Sequence, residues 1–180
     1  MTSVSPSPLR QRRKEARPQE LLRSALELFV AKGFSATRSD EVAARAGVSK
    51  GTLYLYFPSK EELFKAVVRN NIASLIAEGQ RIADAFEGSS EELLRLLMHA
   101  WWRRVGDTDA GGIFKIIMAE VRNFPELAQF YTDEVILPAY RLVSGTLQRG
   151  IDRGEFRVVP VREATQMLIA PMLLQALHKH

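Results

Sequence analysis

The chain has no cysteine among its 180 residues, which excludes both a disulfide framework and a thiolate metal site. Its three histidines, His99, His178 and His180, are scattered. The last two are two positions apart, on different faces of any helix, so no metal site is expected. Proline and glycine are sparse, at 8 and 11 residues, and Pro/Ser-rich sequence is confined to the start. No apolar run approaches the roughly 18 residues that a membrane span needs, and the N-terminus lacks the apolar centre of a signal peptide. No nucleophile with an adjacent base and no phosphate-cradling glycine loop stands out. A non-enzyme without a cofactor, located in the cytoplasm and away from membranes, is the expectation.

What remains is a chain that is 46% hydrophobic, with leucine and alanine recurring at helical spacing; a soluble all-α fold follows. Charge is unevenly spread. Residues 1–60 hold eleven Lys/Arg against five Asp/Glu, net +6, and residues 61–180 hold fourteen against sixteen, net −2. The basic third is the part suited to a polyanion.

Three regions are expected. Residues 1–17, MTSVSPSPLRQRRKEAR, open with Ser/Pro and continue into a basic run, the composition of a disordered arm that either solubilises or tracks phosphate. Residues 18–60 carry a helix from Pro18 to Gly33 with Leu21, Leu22, Ala25, Leu26, Leu28 and Phe29 inward, then two short helical patterns around a glycine. Thr37 is placed to cap the first pattern, with Asp40 and Glu41 in the turn where the helix dipole favours anions. Gly47 supplies the turn, Ser49 caps the second pattern, and Leu53 and Phe57 point inward. This is a helix-turn-helix by its physics, with Lys50, Gly51, Thr52, Tyr54, Leu55 and Tyr56 left outside. The helix ends marked by Thr37, Ser49 and Ser59 suit phosphate.

Residues 25–68, about a quarter of the chain, resemble the DNA-binding domain of the TetR family of bacterial transcriptional regulators. Gly33-Phe34, Thr37, Ala43, Ala46-Gly47-Val48-Ser49, Gly51-Thr52-Leu53-Tyr54, Tyr56-Phe57 and Ser59-Lys60 fall in register with it. The resemblance implies contact with double-stranded DNA at Lys50, Gly51, Thr52, Tyr54, Leu55 and Tyr56. Lys50 is assigned to guanine or phosphate, Gly51 to close backbone approach, and Thr52 to a base edge or phosphate. Tyr54 is assigned to phosphate or a thymine methyl, and Tyr56 to phosphate. Leu55 departs from the polar or larger residue common there and offers only apolar surface, suited to a thymine methyl. Arg38 and Lys60 are expected at phosphate.

Residues 61–180 are expected to form a helical ligand-binding and dimerisation domain. A capping box, Ser59 with Glu62, starts a long helix whose apolar positions run from Leu63 to Phe86; a second, Ser89 with Glu92, starts another. GDTDAGG, 106–112, is the clearest loop, and Pro138 should kink a helix spanning 126–152. Trp101, Trp102, Phe114, Ile117, Met118, Phe124, Tyr131, Tyr140, Met167 and Met172 are candidates to line a pocket for an apolar or amphipathic effector, though for any one of them core packing is the better account. The resemblance implies a homodimer through the last helices and a ligand-released repressor at a palindromic operator. The alternative is a body that answers to a protein partner. Family members usually carry a further helix beyond the last one here.

Overall fold

The computed structural model describes residues 8–120 and 122–179, with the backbone alone over 8–17. Residues 1–7 of the expected arm, and His180, lie outside the described residues. Ten α-helices and no strand occur among the described residues. The chain divides into two compact units, Met1–Val67 and Val68–His180.

In the first unit, α1 (Pro8–Lys32) precedes α2 (Ser39–Arg45), α3 (Lys50–Tyr56) and α4 (Lys60–Val68). Helix α1 starts at Pro8 and not at Pro18, so residues 8–17, expected in a disordered arm, continue the helix. The stretch LRQRRKEAR consists mostly of strong helix formers, and Pro8 takes the first turn, where its missing N–H costs nothing. The core is a three-ring cluster. Phe64 meets Phe29 and Phe34 edge-on, at centroid distances of 5.4 and 5.3 Å, and Phe29 lies 5.6 Å from Phe34. All three are fully buried, with Leu21, Leu53 and Leu63 around them. Each such ring contributes about 2 kcal/mol by burial, and edge-on pairs add about 1 kcal/mol. Because Leu63, Phe64 and Val67 of α4 are buried, this unit extends past the expected boundary at residue 60.

The second unit holds α5 (Ser74–Ala85), α6 (Ser90–Trp101), α7 (Gly112–Glu120), α8 (Pro125–Tyr131), α9 (Leu137–Asp152) and α10 (Val161–Lys179). Three π turns punctuate it, Arg69–Ala73, Trp102–Gly106 and Thr132–Ile136, and the first packs against the other two. The third lies just before Pro138, where a kink was expected; the proline instead sits in the first turn of α9. Its ring excludes the carbonyl four residues back, and a widened turn accommodates that without ending the helix. The expected capping box of α6 is present: Ser89 Oγ accepts the Glu92 N–H at 3.2 Å, and Glu92 Oε2 accepts the Ser89 N–H at 2.9 Å. Arg149 of α9 donates from Nη2 to the Phe86 and Gly88 carbonyls at 2.7 and 2.8 Å, and the Ser90 N–H donates to Glu155 at 2.6 Å. The α5–α6 loop is thereby tied at both ends to the end of α9.

Helix α10 carries many apolar side chains yet fully buries only Thr165 and Ala176. Met167 and Leu174 are 77% and 67% exposed, and Leu168, Ile169, Met172, Leu173 and Leu177 are half-buried. Such a face on one chain is apolar surface available for association.

Candidate DNA-reading surface

Helices α2 and α3 are held by local chemistry within residues 43–53. The Val48 N–H bonds the Ala43 carbonyl at 2.9 Å and the Gly47 N–H bonds that of Ala44 at 3.1 Å, closing α2 with paired capping bonds. That closure needs a left-handed residue, and Gly47 has φ +67°. Ser49 then caps α3, its Oγ accepting the Thr52 N–H at 3.1 Å and lying 2.9 Å from Thr52 Oγ1. Leu53, fully buried, fixes which side of α3 faces the core.

The opposite side is open. Lys50 and Gly51 are exposed, Thr52 and Tyr56 are half-buried, Tyr54 is 40% exposed and Leu55 86%. Lys50 Nζ lies 5.9 Å from the Tyr54 ring centroid. A Cβ at Gly51 would meet only Ser49 Oγ, at 3.8 Å, so nothing within the protein requires glycine there. The surface of α3 has one cation, no acid and a protruding leucine, an arrangement able to approach a polyanion and touch apolar groove atoms.

Three expected contacts are placed differently. Thr37 does not cap α2: it is buried, and its hydroxyl donates inward to the Gly33 carbonyl at 2.7 Å, with that of Leu28 at 3.2 Å. Arg38 occupies the cap position, and its N–H faces the Glu41 carboxylate at 3.5 Å. Its exposed guanidinium grips Asp40 through two bonds, of 3.1 and 2.9 Å, which hold the Asp40 carboxyl below its usual range. Lys60, expected at phosphate, is half-buried, and its ammonium is engaged within the chain. Its ammonium donates to the carbonyls of Phe34, Ser35 and Thr37, a role no local pattern announces because its acceptors lie 23 to 26 residues earlier.

The ten candidate pocket residues do not share one environment. Tyr131 and Ile117 are buried, and burial pushes the Tyr131 phenol above its ordinary value. Trp101, Phe114, Phe124, Tyr140 and Met172 are half-buried, and the Tyr140 hydroxyl donates to the Arg162 carbonyl at 3.4 Å. Trp102, Met118 and Met167 are exposed at 36%, 57% and 77%, so they line no closed space in the single chain. One hollow among the described residues, about 280 Å³ and open, lies elsewhere, along α6 at Glu91, Leu94, Arg95, Met98 and His99. No group of three metal-ligating side chains occurs among the described residues. No helix among them is long and apolar enough to cross a membrane.

An exposed helix-turn-helix face in one unit, with a separate helical unit in the same chain, is the arrangement of a DNA-binding regulator. Comparison with known proteins agrees. The model for bacterial regulatory proteins of the tetR family matches residues 21–67, and that for the tetracyclin repressor-like C-terminal domain matches residues 82–180. Similar proteins include the uncharacterized HTH-type transcriptional regulator YfiR of Bacillus subtilis (strain 168), 33% identical over 152 residues, 81% of this chain and 71% of that protein. Among solved structures, the fatty acid degradation regulator FadR of Bacillus halodurans has a TM-score of 0.75 at 19% identity, covering 97% of this chain and 85% of that one. FadR of Bacillus subtilis in complex with stearoyl-CoA has a TM-score of 0.70 at 22% identity, covering 89% and 85%. The chain belongs to the TetR family of transcriptional regulators, and its family and relatives are regulators and not enzymes.

Proposed function

We propose that the protein is a homodimeric repressor that binds a palindromic operator through the outer face of α3 and is released by an amphipathic acyl compound. The observation that carries the DNA contact is the acid-free exterior of α3, with Leu55 86% exposed above a fully buried Leu53. Lys50, Gly51, Thr52, Tyr54, Leu55 and Tyr56 are assigned to the groove and its edges, with Arg38 and Ser49 beside phosphate. Thr37 and Lys60 support this surface from within. Two copies, paired through the apolar faces of α10, would address half-sites about one helical turn apart, roughly 34–36 Å.

Support for an acyl effector comes from the fatty-acid regulators that share this fold and from the apolar interior to which Ile117, Phe114 and Tyr131 contribute. A ligand shifts operator occupancy only by its difference in affinity between the bound and free states. The reading is tested by selecting DNA from a random pool, then titrating the complex with acyl-CoA of graded chain length. Enrichment of a two-fold symmetric site and its chain-length-dependent release are expected. A bound site that no acyl compound releases would exclude this effector class.

A second reading keeps the DNA contact and gives the body to a protein partner. It is favoured by the exposed apolar side chains Met118, Ile136 and Leu137, which no fold requirement puts on the surface. Substituting these with Ser leaves acyl release intact if the first reading holds.

A further inference from the structure

Lys60 opens α4 and reaches back within its unit to the turn between α1 and α2. Its Nζ donates to the carbonyl oxygens of Phe34 at 2.9 Å, Ser35 at 3.2 Å and Thr37 at 3.1 Å, and lies 4.6 Å from the Phe34 ring centroid. A lysine ammonium has three protons to donate, so these bonds use its whole capacity. The turn it fills also carries backbone and hydroxyl bonds of its own. Gly33, at φ +86°, gives its N–H to the Phe29 carbonyl at 2.8 Å. The Thr37 N–H reaches the Phe34 carbonyl at 3.3 Å, and the Thr37 hydroxyl returns to Gly33. Three carbonyl dipoles converging on one point repel one another unless a cation stands between them.

We infer that Lys60 is a positioning residue for DNA recognition: its ammonium sets the 33–38 turn, and with it the seat of α2, against which α3 packs. The chain of contacts is continuous. The turn leads directly into α2, whose first turn is fastened to the end of α1 by Lys32 and Glu41 at 2.9 Å, and α2 packs on both α1 and α3. Moving Lys60 out to a phosphate would break three charge-assisted bonds and a ring contact to gain one solvent-screened attraction. The role rests on the DNA-binding reading above, while the clamp itself does not.

The test compares the wild-type protein with Lys60→Met, which keeps the apolar stem and removes the charge, and with Lys50→Met. All are measured on the selected operator well below the melting temperature, with helicity verified. Lys60→Met should weaken binding by roughly tenfold, within the range for residues that act on a site without touching its ligand, with the dependence of log K on log salt unchanged. Lys50→Met, which removes one charge from each copy of the dimer, should lower that slope by about two units. A slope lowered to the same extent in Lys60→Met, or unchanged affinity in a folded Lys60→Met protein, overturns the inference. Acylation of the unaltered protein by an amine-specific reagent gives a readout independent of folding: without DNA, Lys60 should react more slowly than Lys50. Reaction of Lys60 at the Lys50 rate overturns the clamp. Wild-type protein that selects no DNA overturns the DNA reading and the positioning role with it, and the acylation rates distinguish that result from failure of the clamp.

Discussion

Arg69 donates from Nε and Nη2 to the two carboxylate oxygens of Glu134, at 2.8 and 2.6 Å, and its guanidinium lies 4.9 Å from the Phe130 ring centroid. The pair joins the π turns 69–73 and 132–136. Both side chains are partly solvated, at 48% and 36%, which limits what the charges contribute. A double-mutant cycle with Arg69→Ala and Glu134→Ala should give a coupling of about 1 kcal/mol, the upper end for surface pairs, because the bonds are paired. Raising the salt should shrink it. A coupling near zero at low salt would mean that the two turns are joined by apolar packing alone.

Gly51 separates stability from binding. Alanine there meets only Ser49 Oγ, at 3.8 Å, and favours the helix by up to about 1 kcal/mol. Gly51→Ala should therefore melt no lower than the wild type while binding the operator more weakly, since the added methyl stands on the approaching face. Calorimetry alongside a binding titration checks this. Equal affinity would remove Gly51 from the close-approach role.

The same sequence features that make the first unit legible explain what escaped notice. Gly47, Ser49 and Leu53 specify their conformations locally, through a left-handed turn, a cap and one inward position, so the two short helices could be located from spacing alone. Thr37 and Lys60 make inward bonds, although Thr and Lys more often serve caps and phosphate. Their partners, the carbonyls of Leu28, Gly33 and Phe34, are backbone groups and carry no residue signature. Helix starts followed the caps at Ser59 in the first unit and Ser89 in the second, but no periodicity separates a core methionine from one at a surface. Met167 and Met172 share a helix and a residue type yet differ in exposure. Pro138 signalled an irregularity, and the neighbouring packing decided that it would be a π turn ahead of the proline.

Gly150 is held to glycine by Phe156, whose ring occupies the space a Cβ would need. Gly150→Ala should destabilise the protein by about 1–3 kcal/mol, the cost of overpacking. In a Phe156→Ala background the same change should cost much less, because the obstruction is gone. Additive melting shifts would place the strain elsewhere.

The pH dependence has a definite sign. The Glu92 carboxyl lies below its usual value of 4.5, first because it accepts the Ser89 N–H and then through the Ser89 hydroxyl. A carboxyl depressed in the folded state stabilises fully above its unfolded value, and that contribution is lost as pH falls through the lower folded one. Asp40 and Glu41 act in the same sense in the first unit, through Arg38 and Lys32. Melting temperature should fall on acidification below about pH 4.5, and Glu92→Gln should make the fall shallower. An identical profile would show that the α6 cap is indifferent to the carboxylate.

The account stands on α3 as the reading element of a paired regulator, and side-by-side selection from a random DNA pool by the wild type and Leu55→Gln tests this most directly. Both should enrich two-fold symmetric sites, differing at one base pair repeated in each half, where the apolar contact with a thymine methyl is lost. Enrichment of identical sites by both proteins, or of sites without symmetry, would contradict it.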